Sequence, residues 1–195
     1  MIPASLGNFR NLLLLEISNN YLTGPIPLEV FELSSLVYLA LSANRFYGSL
    51  TNEVGKLKQL GFLSLGQNML SGQIPDDLGS STSLEFLYMD AKIFQGSLPP
   101  SLSSLRGIRQ LNFSHNNLSG MIPEFLIDFR VIELLDISFN DFEGMVPEAG
   151  IFDNASAVFV EGNKNLCGGI HDFGFPACKP EISNRRLTVK LKIFM

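Results

Sequence analysis

The stretch Leu111-Asn112-Phe113-Ser114-His115-Asn116-Asn117-Leu118-Ser119-Gly120-Met121-Ile122-Pro123 recurs in altered form along most of the chain. Its Asn116 has counterparts at Asn20, Asn44, Asn68 and Asn140, all in register at an interval of 24 residues; the remaining position of the series is filled by Lys92. Four residues after each of these positions stands a glycine: Gly24, Gly48, Gly72, Gly96, Gly120 and Gly144. Three residues further on comes a proline, at Pro27, Pro75, Pro99, Pro123 and Pro147, with Thr51 the exception. No insertion or deletion interrupts the period.

A fixed period of this length identifies a solenoid, because each unit carries too few apolar groups to close a core alone and must stack on its neighbours. With the asparagine as zero, apolar side chains fall at −8, −5, −3, +2 and +6, as in Leu36, Leu39, Leu41, Phe46 and Leu50, or Ile108, Leu111, Phe113, Leu118 and Ile122. The −5/−3 alternation is that of a short half-buried strand, so stacking predicts one parallel sheet with strands about 4.8 Å apart. The asparagine amide supplies a donor and an acceptor to backbone groups left unpaired where the chain turns out of the strand. The glycine accommodates a positive φ, and the Ile-Pro step leads into an extended segment. This L-x-x-L-x-L-x-x-N-x-L core is that of a leucine-rich repeat, and its L-x-G-x-I-P continuation resembles the plant-specific class. The expected fold is an α/β-type leucine-rich repeat solenoid with short parallel strands on a concave face and a 3-10 or irregular convex side. The spacing gives repeats over 1–148 (a partial first repeat and six more), leaving 149–180, which the resemblance described below implies is a C-terminal cap with the cysteine pair, and a basic juxtamembrane-like tail over 181–195.

Composition narrows the function. Hydrophobic residues make up 46% and charged residues 17% of the 195, which suits a folded chain with a sparsely charged surface. A net charge of −5 argues against a nucleic-acid partner. No apolar run is long enough to span a bilayer. Met1-Ile2-Pro3 aligns with Ile26-Pro27, so the chain starts in the middle of a repeat with no signal peptide, and a fragment or truncated gene product is expected.

The strand positions −6, −4, −2 and −1 should face out on the concave side, where such modules bind partners. Tyr38, Phe62, Phe86 and Tyr88 fall there on neighbouring strands, with Asp90 beside them. Two readings stand for these aromatics: a contact patch for a peptide or protein ligand, or rings packed against adjacent strands. Lys92 is read as a local irregularity in the ladder, or as a partner of Asp90 at a ligand carboxylate or amide. Asn112, Asn117 and Asn154 each begin an N-x-S sequon, an acceptor of glycan only in a secreted chain. Asn117 is the foremost of them, and Asn112 is expected on the concave face.

Beyond Pro147 the pattern decays into Gly150-Ile151-Phe152-Asp153-Asn154-Ala155, followed by Gly162-Asn163-Lys164-Asn165-Leu166-Cys167-Gly168-Gly169. These segments resemble the C-terminal cap of plant leucine-rich repeat receptor-like serine/threonine kinases, in the subfamily that includes the bacterial elongation-factor receptor and a rice blight-resistance receptor. In that setting Cys167 and Cys178 read as one disulfide; a zinc site is the alternative, but His171 alone between them does not complete one. The resemblance implies the membrane-proximal end of an ectodomain on the extracellular side of the plasma membrane, held there by a helix downstream of this chain. It further implies a leucine-rich repeat co-receptor kinase as partner, with Ser138 and Phe139 as contact candidates. A secreted inhibitor of a wall-degrading enzyme and a non-functional truncated product are the alternative readings.

Asp172-Phe173-Gly174 spells a kinase magnesium motif, but no glycine-rich loop, strand lysine or H-R-D loop precedes it. No catalytic, cofactor or metal motif is present in the sequence, and no enzyme activity is expected.

Overall fold

The alternation around −5 and −3 becomes one short strand per repeat. The computed structural model describes residues 1–90 and 94–179; Lys92 and the tail with Arg185, Arg186, Lys190 and Lys192 lie outside the described residues. The strands are Leu14–Glu16, Tyr38–Ala40, Phe62–Ser64, Phe86–Tyr88, Gln110–Asn112, Leu134–Asp136 and Val158–Phe159, and they pair in chain order as a seven-stranded parallel sheet. The register carries no slip: Leu15 faces Leu39, and Leu63, Leu87, Leu111, Leu135 and Val158 follow in line. A slip of one residue would exchange the buried and exposed faces. Leu39, Leu63, Leu87, Leu111 and Leu135 are all fully buried.

The helical segments are 3-10 throughout the described residues. Those following the Pro or Thr51 position are Ala4–Asn8, Leu28–Glu32, Asn52–Lys56, Asp76–Ser80, Pro100–Ser104 and Glu124–Asp128. Proline at the N-cap presets the extended entry, and a five-residue segment is too short to gain from α geometry. Each helix drops apolar residues into the core, among them Val30, Val54, Leu78, Leu102 and Leu126. The helices stack closely where small residues allow. At Gly55 and Gly79 a Cβ would lie 2.2 Å from Asp77 O and Ser101 O of the next repeat.

The segment after the asparagine is more than extended. Thr23–Gly24, Arg45–Ser49, Met69–Gln73, Phe94–Gly96, Asn117–Met121, Asp141–Val146 and Asn165–Gly168 form a second seven-stranded parallel sheet. The sequence hides it because a glycine, a poor strand former, sits inside four of these strands and ends the other three, Thr23–Gly24, Phe94–Gly96 and Asn165–Gly168. From Gly24 to Gly144 that residue has φ between 81° and 99°.

Asparagine joins the two sheets. The amide nitrogen of Asn68 donates to Leu65 O and Gly66 O in its own repeat and to Leu41 O in the one before, while its Oδ1 accepts from Phe46 N–H. Asn44, Asn116 and Asn140 repeat the pattern. So does Asn163, 23 residues after Asn140, bonding Val160 O and Ile137 O and accepting from Phe142 N–H. The ladder therefore runs past 148. Val158–Phe159 and Asn165–Gly168 extend both sheets, so the cap begins as a compressed repeat. Cys167, within the strand Asn165–Gly168, forms a disulfide with Cys178, their Cα atoms 4.9 Å apart.

Asn68→Ala takes the partner from Leu65 O and Phe46 N–H, while Leu41 O keeps the Asn44 amide and Gly66 O keeps Ala43 N–H; it is expected to lower unfolding free energy by about 3 kcal/mol in urea titration. Asn20, exposed and with its side chain bonded only within its own repeat, should tolerate alanine at a cost below about 1 kcal/mol; equal costs would refute the ladder as the main joint. Replacing both cysteines by serine should cost about 3 kcal/mol, and reductant should then leave the denaturation midpoint unchanged.

Candidate functional site

The outer face of the first sheet is built from residues that alternate with the core leucines. At −6, Tyr38, Phe62 and Phe86 lie directly opposite one another on consecutive strands. Tyr38 and Phe62 stack with ring centres 4.3 Å apart and planes 8° from parallel. Phe62 also meets Phe86 at 6.1 Å and Tyr88 at 5.5 Å, both tilted. All four rings are half-buried, so they pack on neighbouring strands, as the second reading had it, and still form one continuous surface. The −4 residues beneath them depart from expectation. Ala40 is 2% and Ser64 9% exposed, because at the strand spacing the rings lean over their small neighbours.

Hydroxyls fix the ends of the row. Tyr38 OH donates to Glu16 Oε2 at 3.1 Å, and Tyr88 OH to Gln110 Oε1 at 2.6 Å. Burial raises both tyrosine pKa values, and at Tyr38 the Glu16 carboxylate adds to the rise. Glu16 itself is lowered, chiefly by the Ser18 hydroxyl, with burial opposing. At the far edge Arg109 lies 5.8 Å from the Phe86 ring centre and pairs with Glu133. Since Tyr38 and Phe62 spend their inner faces on each other, the row offers ring edges to an incoming group. Ring edges suit aliphatic, proline or aromatic side chains.

Asp90 sits at the end of this row in a seat that sequence reasoning missed. A Cβ on Gly66 would lie 2.2 Å from Asp90 Oδ1, so the carboxylate occupies the space glycine leaves one repeat away. Burial pushes the Asp90 carboxyl up and the Asp136 charge adds to it; hydrogen bonds to its own backbone and to Gln67, and the charge of His115, pull the other way. The sequence held one signal: −2 is Ser, Gly or Asp along the ladder, and the glycine directly precedes the aspartate.

Toward the C-terminal end, Phe139 is 48% exposed and stacks on His115 at 4.5 Å with planes 3° apart. Both stand at −1 and both have left-handed backbone, φ 52° and 54°, as do Asn19, Ala43 and Gln67. That conformation costs a non-glycine residue about 1 kcal/mol or more. Ser138 does not share the exposure of Phe139: it is 3% exposed and its Oγ donates to Asp136 Oδ1 at 2.6 Å. The sequence reading placed Ser138 on the accessible face, but the aspartate two residues earlier folds its hydroxyl back onto the sheet. Asn112 binds Ser114 in the same way and is half-buried, while Asn117 and Asn154 are exposed. Among the described residues, no three His, Cys, Asp or Glu side chains group as metal ligands, and no helix is long and apolar enough to cross a membrane.

The leucine-rich repeat family model matches residues 107–129. No curated protein matches the chain. Solved structures do. The plant peptide hormone receptor RGFR1, in complex with RGF2, is 32% identical over 87% of this chain and 27% of its own, with a TM-score of 0.77. The Arabidopsis receptor kinase HAESA, in complex with the peptide hormone IDA and the co-receptor SERK1, is 28% identical over 87% of this chain and 32% of its own, with a TM-score of 0.72. The ectodomain of the receptor kinase SOBIR1 from Arabidopsis thaliana is 31% identical over 67% of this chain and 75% of its own, with a TM-score of 0.55. The chain thus spans roughly a quarter to a third of the first two. These neighbours are ectodomains, and the fold is theirs rather than that of a kinase.

A carboxyl raised on folding binds more protons in the folded chain than in the unfolded one, so its effect on stability worsens as pH rises through the window between the two pKa values. Asp90→Asn removes that penalty. The variant should melt higher than the parent at pH 7, and the gap should close as pH falls below the ordinary aspartate range. A constant gap across that range would remove Asp90 as the cause.

Proposed function

We propose that this leucine-rich repeat solenoid, built like plant receptor ectodomains, binds a peptide or protein ligand on its concave face as part of a receptor-like kinase at the plasma membrane. The observation that carries the reading is the row Tyr38–Phe62–Phe86 with Tyr88 and Asp90 at its end: half-buried side chains held by mutual packing and hydroxyl tethers on three adjacent strands. Groups fixed before binding lose little side-chain entropy when a ligand arrives. An extended peptide laid across the strands would place apolar side chains on the ring edges and a basic one at Asp90.

Phe139 is the candidate for co-receptor contact. It is exposed, its ring is braced by His115, and it lies in the last full repeat, next to the cap. HAESA is seen with a co-receptor, which supports an equivalent encounter here. The Gly162-Asn163 and Leu166-Cys167-Gly168-Gly169 elements support placement with the elongation-factor and blight-resistance receptors, hence a role in defence perception. In the secretory pathway Asn117 and Asn154 are the sequons open to glycan. Signalling then proceeds by ligand-assisted association, with no chemistry by this chain.

A random peptide library selected against the whole chain tests the ligand site. Enriched peptides are expected to lose about tenfold or more in affinity against Phe86→Ala with Tyr88→Ala, while the melting temperature falls only slightly. Peptides that bind the double variant equally well would remove the aromatic row from the site. In parallel, Phe139→Ala should weaken capture of the SERK1 ectodomain without weakening peptide binding.

A further inference from the structure

The side of the solenoid that carries the 3-10 helices holds a concavity unrelated to the aromatic row. Between Pro100–Ser104 and Glu124–Asp128 the stack opens into a cavity of about 360 Å³, lined by Ser103, Arg106, Phe125, Asp128, Phe129 and Arg130. Its origin lies in the repeat. Gly55 and Gly79 stand eleven residues after their ladder asparagines and let the next helix approach to where a Cβ would be. The residue at that position one repeat later is Ser103, whose Cβ excludes such an approach. The following helix also ends differently. Earlier helices close with ψ of 58–69° and an N–H bonded back three residues, whereas Phe129 has ψ 110° and no such bond.

The walls divide by chemistry. Phe125 and Phe129 meet edge to face at 5.9 Å and form an aromatic side. Arg106 and Arg130 occupy the same position in consecutive repeats, so two like charges are neighbours along the stack. Among the described residues neither is ion-paired. Asp128 is the one acid in the lining, which leaves a net charge of one positive unit.

We propose that this cavity binds a small monoanion with an aromatic body, an aryl carboxylate. Guanidinium groups match a carboxylate in shape and charge. The phenylalanine wall takes a ring. The balance of two cations against one carboxylate favours a single negative charge. The volume holds about a dozen non-hydrogen atoms at a water-like ~30 Å³ each, and it falls at the small end of ligand pockets. The site stands apart from the concave face and does not depend on the receptor reading.

Calorimetry and ligand-observed NMR on the full chain with benzoate, benzamide and inorganic phosphate test it. Benzoate should bind saturably, and the neutral amide and the ring-less anion should each bind about tenfold more weakly or worse. Arg106→Gln with Arg130→Gln should weaken benzoate about tenfold while the melting temperature holds, since both side chains are exposed. Ser103→Phe, which fills the cavity and leaves both arginines, should abolish binding. Absence of saturation by benzoate, equal binding of phosphate, or indifference to both variants would each overturn the proposal.

Discussion

A side-chain amide at every rung but the one filled by Lys92 holds this molecule in register. From Asn44 onward each ladder asparagine satisfies carbonyls in its own turn, a carbonyl in the preceding turn and an N–H in, or directly before, the preceding repeat's strand of the second sheet. Few other side chains carry donor and acceptor on so short a stem. The leucines supply most of the driving force, at about 25 cal/mol per Å² of apolar surface buried, but burial is indifferent to direction. The amide converts non-directional stacking into a fixed step, and the flat register of the first sheet follows from it.

That fixed step also creates the face on which the functional proposal rests. With the strands locked opposite one another, side chains at −6 are forced to within stacking distance of the same position one repeat away. Aromatic residues there must pack on each other, as Tyr38 and Phe62 do. Small residues at −4, Ala40 and Ser64, are what make room for them. The Gly66 and Asp90 pair follows the same rule at −2, with one repeat lending space to the next.

The parts legible in the sequence were those written as period. The first sheet, the core leucines, the ladder from Asn20 to Asn140 and the aromatic row could be read because each recurs at a constant interval. What escaped was written as geometry. The second sheet is interrupted by glycine and so lacks a strand's alternation. Asn163 sits one residue early, so a strict period misses it although its bonds match those of Asn140. The left-handed backbone at −1 has no residue preference to betray it, since Ala43, Gln67, His115 and Phe139 all adopt it. The burial of Ser138 depends on Asp136, a local pairing that position alone does not encode.

The cross-repeat bonds of the ladder reach back a nearly constant distance along the chain, 22 residues for the accepted N–H and 27 for the donated amide at Asn44 and Asn68 alike. Contacts of fixed reach make relative contact order fall as units are added, so a longer solenoid of this type poses no slower search than a short one. Duplicating a unit therefore enlarges the binding surface without complicating the path to it. The same economy lets the outward positions drift freely, because the step that organises them is stored elsewhere in the repeat.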